Sequence, residues 1–147
     1  PLDLNSVYNY LILCKHFRET CVVVEEQGEI IAFTSGYIPP ATPEALFIWQ
    51  VAVGPKARKR GFGKRLLGEL IKRPVCRNVR YLETTITPSN KASWSLFKSF
   101  ARDLGTDWND DTLFEGEHFG ESGHEPEQLL RIGPFRADSP QRLAKSS

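Results

Sequence analysis

Two spacings of apolar residues alternate along this chain, and together they predict an α/β domain. Val7, Tyr10, Leu11, Cys14 and Phe17 recur at helical spacing, after an Asn5 or Ser6 that can cap the helix start. Thr20 to Glu25 reads as a strand, Gln27-Gly28 as a turn, and Glu29 to Tyr37 as the returning strand of a hairpin. Pro39, Pro40 and Pro43 break the chain into a loop. Leu46 to Val53 is apolar enough to be a central strand. Lys64 to Arg73 follows as an amphipathic helix that buries Leu66, Leu67, Leu70 and Ile71 and is stopped by Pro74. Val79 to Thr87 is the next strand, parallel to Leu46–Val53 because a helix crosses over between them. Thr87-Pro88-Ser89-Asn90 leads into a helix from Lys91 to Leu104, with Ala92, Leu96, Phe97 and Phe100 turned inward. Phe114 and Phe119 lie in an acidic stretch with no regular period, and Glu127 to Gly133 reads as a last strand. Beyond Phe135 the chain is polar, so residues 1–135 are expected to form one domain and 136–147 a disordered tail.

The join between the central strand and its helix carries the clearest chemistry. Lys56, Arg58, Lys59, Arg60, Lys64 and Arg65 crowd a turn that contains Gly61 and Gly63 and opens the helix. The unpaired N–H groups of a helix start, with the positive end of its dipole, favour an anion. Two familiar phosphate motifs fail here. A P-loop ending at Gly63-Lys64 would need its first glycine at Arg58 and its hydroxyl at Arg65, and a dinucleotide fingerprint starting at Gly61 meets Leu66 at its third glycine. A solvated basic turn would account for the charges alone.

Composition narrows the classes. The chain has 147 residues, 40% hydrophobic and 25% charged, which fits one globular domain. No apolar run approaches the roughly 20 residues of a membrane span, and no secretory signal is visible. Cys14, Cys21 and Cys76 lack metal-ligand spacing, and an odd count of thiols fits a reduced, cytoplasmic protein without a metal site. Net charge is +1, and the basic run has no interleaved aromatics, which argues against nucleic acid. The charge is unevenly spread. Lys56 to Arg80 is basic, whereas Asp107, Asp110, Asp111, Glu115, Glu117, Glu121, Glu125 and Glu127 follow with no Lys or Arg among them. A basic half suits a polyanionic cofactor and an acidic half a cationic substrate. Within Gly123-His124-Glu125-Pro126-Glu127, His124 and Glu127 are candidates to bind an amine and remove its proton.

The pattern Arg58-x-x-Gly61-x-Gly63, set between a strand and a helix, resembles the pyrophosphate-binding motif of the GNAT superfamily of N-acetyltransferases. The resemblance implies a central mixed, mostly antiparallel sheet, with a parallel splayed strand pair and flanking helices. On that resemblance, the fold's usual first strand and helix are expected to be missing from this chain. It also implies acetyl-CoA as cosubstrate, with Val51 and Val53 pairing through their backbones with its pantetheine arm. Arg58, Lys59, Gly61, Phe62, Gly63 and Lys64 would lie around the diphosphate, and Asn90 would contact the arm. Gly61 and Gly63 would keep side chains out of the diphosphate's way. One departure is plain. Where many members carry a tyrosine that protonates the leaving thiolate, this chain has Phe97.

A closer likeness rests on Pro1 to Tyr10, Trp49-Gln50-Val51-Ala52-Val53, Thr87 to Asn90 and Arg131-Ile132-Gly133-Pro134-Phe135. Together these resemble L-2,4-diaminobutyrate acetyltransferases of ectoine biosynthesis. That likeness implies transfer of acetyl to the 4-amino group of L-2,4-diaminobutyrate, acceptor-binding roles for Asp3, Tyr8, Trp49, His124 and Glu127, Glu127 as the favoured base, and a homodimer. Asp3 could equally serve the first helix's dipole, and Tyr8 and Trp49 could equally be packing residues. A GNAT enzyme for another small amine, or a module that binds acetyl-CoA without turnover, stays open on sequence alone.

Overall fold

The computed structural model describes residues 5–114, 120 and 123–136. Ser6 opens helix α1 (Val7–His16), its hydroxyl accepting the Asn9 N–H at 3.2 Å. Strands β1 (Cys21–Glu26) and β2 (Glu29–Tyr37) form a hairpin whose turn places Gln27 and Gly28 at φ 52° and 79°, the hand that matches strand twist. There follow β3 (Ala45–Val53), α2 (Phe62–Ile71), β4 (Tyr81–Ile86), α3 (Lys91–Leu104), β5 (Trp108–Phe114) and β6 (Glu127–Ile132). The sheet order is β1-β2-β3-β4-β6-β5. Only β3 and β4 run parallel, because α2 carries the chain back between them.

One face of the sheet carries the core. Leu46 and Ile48 of β3, Leu82 and Ile86 of β4, and Leu130 and Ile132 of β6 meet Leu67, Leu70 and Ile71 of α2 and Phe97, Phe100 and Ala101 of α3. A smaller cluster joins Ile31 and Ala32 of β2 to Phe62 and Leu66 of α2. This is the helix face. On the opposite face the end of α1 reaches the sheet through Phe17, which packs on Tyr37, itself packed on Phe47.

Several expectations need correction. Residues 108–114 are not irregular: they form an edge strand paired with β6, from Trp108 opposite Ile132 to Phe114 opposite Glu127. Asn109, Asp110 and Asp111 disfavour a strand intrinsically, but on an edge their side chains stay in water. The outer side of α3 also holds β5, with Lys98 Nζ 5.1 Å from the Trp94 ring centre and 4.3 Å from that of Trp108. The apolar face expected on α1 is largely unburied. Leu13 alone is buried there, while Val7, Leu11 and Cys14 are exposed. Ala92 is exposed too, because α3 turns Phe97, Phe100 and Ala101 to the core. Helix α2 starts two residues earlier than expected, at Phe62.

Candidate active site

The site begins where β3 and β4 part. Their last paired residues are Ile48 and Thr84, and Thr84, 3% exposed, donates its hydroxyl to the Ile48 carbonyl at 2.9 Å. β3 continues to Val53 paired with β2 but not with β4, while β4 stays with β6 as far as Ile86 opposite Gln128. A bulge in β3 sits at the same height. Ser35 of β2 pairs with Gln50 and Gly36 with Ile48, so Trp49 is the extra residue. Backbone groups on a strand point to alternate sides, which decides what faces the gap. The Gln50 carbonyl accepts from Thr34 of β2 at 2.9 Å, and the Gly54 N–H donates to Ile31 of β2 at 2.8 Å. The backbone N–H and C=O of Val51 and Val53 therefore point away from β2, into the gap. A slender chain lying between two strands as a strand does would need them about 10 Å apart, twice the ordinary spacing. A splayed pair provides such a slot.

The basic turn stands at the open end of that slot. Gly61 caps α2 in the left-handed region at φ 78°, and the first intrahelical bond is Arg65 N–H to the Gly61 carbonyl. The N–H groups of Phe62, Gly63 and Lys64 thus have no helical acceptor and point out of the helix start. The two glycines serve different ends. A Cβ on Gly61 would meet nothing within 4 Å, so the dihedral is what calls for glycine there. A Cβ on Gly63 would lie 2.9 Å from Leu96 Cδ1, so the bare backbone there lets α2 approach α3.

Not every cation of the turn is available to an anion. Lys64 Nζ is held by Asp103 at 2.8 Å and Ser99 at 3.2 Å, so of its donors only the backbone N–H is left open at the helix start. Arg60 makes a two-pronged bond to Glu26 at 2.7 and 3.2 Å, which holds the Glu26 carboxyl below the ordinary carboxylate range and raises Arg60 in turn. Arg58 and Lys59 are exposed and make no ion pair among the described residues. Among the described residues, no group of three or more His, Cys, Asp or Glu side chains is placed to hold a metal.

His124 and Glu127 come together beyond the end of β4. Glu127 opens β6, with its carboxylate Oε1 3.9 Å from His124 Nε2, the two side chains 19% and 30% exposed. His124 Nδ1 meets the Glu125 carbonyl at 2.6 Å. The Ser89 hydroxyl donates to the Glu125 carboxylate, tying this segment to the loop after β4. That loop is held again by Trp94, whose indole N–H donates to the Thr87 carbonyl at 3.1 Å. Asn90 caps α3, its side chain accepting the Ser93 N–H at 3.2 Å, so helix capping is one role it fills. Since Leu130 and Ile132 face the helices, alternation puts Glu127, Leu129 and Arg131 on the other face of β6. Arg131 lies 3.7 Å from Glu83 and stacks on Tyr81 at 3.8 Å on that same side.

Other expected residues are placed less tightly. Asp3 lies outside the described residues. Tyr8 is 71% exposed on α1, and Trp49 is half-buried at the bulge. Phe97 is 3% exposed within the core and has no proton to give. Thr84, which fixes where the strands part, was missed by sequence reasoning. A hydroxyl between Leu82 and Ile86 on the inward-facing positions of the strand was its only sign.

Comparison with known proteins agrees with this arrangement. Residues 3–101 match the acetyltransferase (GNAT) family. The chain is 47% identical over 139 residues to the L-2,4-diaminobutyric acid acetyltransferase of Halomonas elongata, covering 94% of this chain and 72% of that protein. It is 49% identical over 136 residues to the Chromohalobacter salexigens protein of the same name, covering 92% and 70%. Among solved structures, diaminobutyrate acetyltransferase EctA from Paenibacillus lautus, in complex with L-2,4-diaminobutyric acid and coenzyme A, matches with a TM-score of 0.88 at 41% identity, covering 91% of this chain and 81% of that one. A mixed sheet with one splayed parallel pair, a basic glycine-containing turn at its mouth and relatives this similar over more than nine-tenths of this chain together make it a member of the L-2,4-diaminobutyric acid acetyltransferase family within the GNAT acetyltransferases.

Proposed function

We propose that the protein transfers acetyl from acetyl-CoA to the 4-amino group of L-2,4-diaminobutyrate by direct attack in a ternary complex. The observation that carries this reading is the parting of β3 from β4 directly beside the open start of α2. Phe62, Gly63 and Lys64 N–H groups, with Arg58 and Lys59, hold the diphosphate. The Val51 and Val53 backbones hold the pantetheine arm in the gap, and N–H groups there stabilise negative charge on the carbonyl oxygen as the amine adds. A coenzyme anchored at α2 enters from the helix face, so the amine arrives from the opposite face, where Glu127 lies. Glu127 takes one proton from the ammonium to free its lone pair, the new C–N bond forms, the C–S bond breaks with its electrons leaving on sulfur, and the second proton of the nitrogen passes to the departing thiolate or to water. No general acid is assigned, since Phe97 cannot serve.

Residues 1–135 act as one catalytic domain, the protein works as a homodimer in the cytoplasm, and Asp3, Tyr8, Trp49 and His124 join Glu127 in holding the acceptor. Incubation with acetyl-CoA and L-2,4-diaminobutyrate, followed by thiol release and NMR of the product, tests the reaction. Acetylation at the 4-amino group is expected, with ornithine and lysine trailing as substrates. No thiol release with diaminobutyrate would end the proposal. Sedimentation at micromolar concentration tests the dimer, and a single monomeric species would remove it.

A further inference from the structure

Two buried oxygens beside the bulge have no role in the scheme above. Gln50 is 7% exposed and Ser35 is 4% exposed, yet Gln50 Oε1 and Ser35 Oγ have no hydrogen-bond partner among the described residues. Leaving a buried acceptor unpaired is costly, so polar groups placed this way need an occupant. The two residues are directly opposite each other across β2 and β3, so their side chains share a face.

Which face follows from the neighbours. Val51 packs with the helix-side core, and Ala32 packs with Phe62 and Leu66 of α2. Gln50 is adjacent to Val51, and Ser35 is three residues along the strand from Ala32. Both therefore point away from the helices, to the side that also carries Glu127. Their height along the sheet is equally defined. Ile48 is level with Thr84 and Leu130, and the bulge leaves Gln50 one step beyond Ile48, as Ser35 is from Gly36, so Gln50 is level with Thr85 and Leu129, two residues from Glu127 along β6. Gln50 and Glu127 thus flank the mouth of the splay, at least two strand spacings or about 10 Å apart at the backbone.

We infer that Gln50 Oε1 and Ser35 Oγ form a subsite for the ammonium group of the acceptor that is not acetylated, so that Gln50 selects a diamine over a monoamine. The inference rests on the proposed acetyl transfer. An ammonium with three N–H donors suits two adjacent acceptors, and a short diamine held there by one nitrogen presents the other towards Val51 and Glu127. The subsite holds the amino-acid end of diaminobutyrate and leaves the 4-amino group beside the thioester.

The test compares the full-length wild type with Gln50→Met and Ser35→Ala, using diaminobutyrate and 4-aminobutyrate, which lacks the second amine. Losing a hydrogen bond to a charged group should raise KM for diaminobutyrate by about 10- to 100-fold in Gln50→Met. KM for acetyl-CoA should stay unchanged, and Tm should hold or rise, since an unpaired buried acceptor has been removed. The preference of the wild type for diaminobutyrate over 4-aminobutyrate, measured as kcat/KM, should collapse in the variant. A structural role for Gln50 would leave that ratio intact, and an intact ratio with near-normal KM overturns the inference while leaving the acetyl transfer standing. If Gln50→Met does not fold, Ser35→Ala decides by the same ratio, with an unchanged value again overturning it. A wild type inert towards diaminobutyrate overturns both readings together.

Discussion

Replacing Glu127 with Gln is the most direct test of the chemistry, because it keeps the shape of the side chain and removes its basicity. A primary amine with a pKa near 10.4 is neutral in only about one molecule in 2,500 at pH 7. A positioned base is worth roughly 10²- to 10⁴-fold in such a step. Removing it should lower kcat within that range. Stability should change little, since the His124–Glu127 contact is 3.9 Å long between partly solvated groups, and such pairs contribute at most about 1 kcal/mol. Acetyl-CoA binding should persist, because the diphosphate turn is anchored by α2 on the other side of the sheet. Thiol release across pH 6.5 to 9.5 with saturating acetyl-CoA is the assay. Without the base, the rate should climb about tenfold per pH unit, following the neutral amine already in solution, while the wild type should climb less steeply. If the variant keeps kcat within about threefold and the same pH slope, Glu127 is not the base.

Three further outcomes follow from the geometry. Gly61→Ala should lower stability by about 1–2 kcal/mol because its φ of 78° is left-handed, a Tm loss of roughly 3 to 8 °C in a thermal melt, and Gly61→Asn should lose less; equal losses would put the cause elsewhere. Thr84→Val strips the buried Ile48 carbonyl of its 2.9 Å donor and should cost about 1–3 kcal/mol in urea unfolding, whereas an unchanged midpoint would mean another group satisfies that carbonyl. Cys14 is exposed, while burial pushes the Cys76 thiol up to about 11; iodoacetamide at pH 8 should therefore label Cys14 first and reach Cys76 only on unfolding, as peptide mass spectrometry would record.

Much of the coenzyme side was legible in the sequence because it depends on local rules. A glycine turn between an apolar strand and an amphipathic helix leaves unpaired N–H groups at the helix start, and Leu66, Leu67, Leu70 and Ile71 marked the buried side of α2 correctly. Elements that depend on a neighbour were harder. β5 has neither alternation nor strand-forming residues at Asn109, Asp110 and Asp111, and it exists because β6 offers a paired edge and because Lys98 sits between Trp94 and Trp108. The apolar spacing of α1 was read correctly as helical, but spacing says nothing about whether a helix finds a partner for each apolar residue: within α1 only Leu13 is buried, and Phe17 at its end packs on Tyr37.

The acceptor side was hidden by a single residue. With Leu46 and Ile48 facing the helices, strict alternation would send Gln50 and Ala52 inward and turn Val51 and Val53 towards the acceptor. The bulge at Trp49 reverses this beyond Ile48, as any one-residue slip must in a structure of period two. Val51 and Val53 then join the core while their backbone groups line the gap, and Gln50 is turned to the opposite face beside Ser35. The same slip lets one strand serve two substrates. Upstream of the bulge, β3 is stitched to β4; downstream, its free edge can take the pantetheine arm and its outer face can take the amine. Deleting Trp49 would make Ser35–Gln50 the next regular pair after Gly36–Ile48 and keep Gln50 and Val51 on their present faces, but it would remove the bend a bulge imposes just where β3 leaves β4. A deletion at Trp49 should therefore abolish transfer far more completely than Trp49→Ala, and comparable activity in the two variants would mean that the bulge is not what assembles the site.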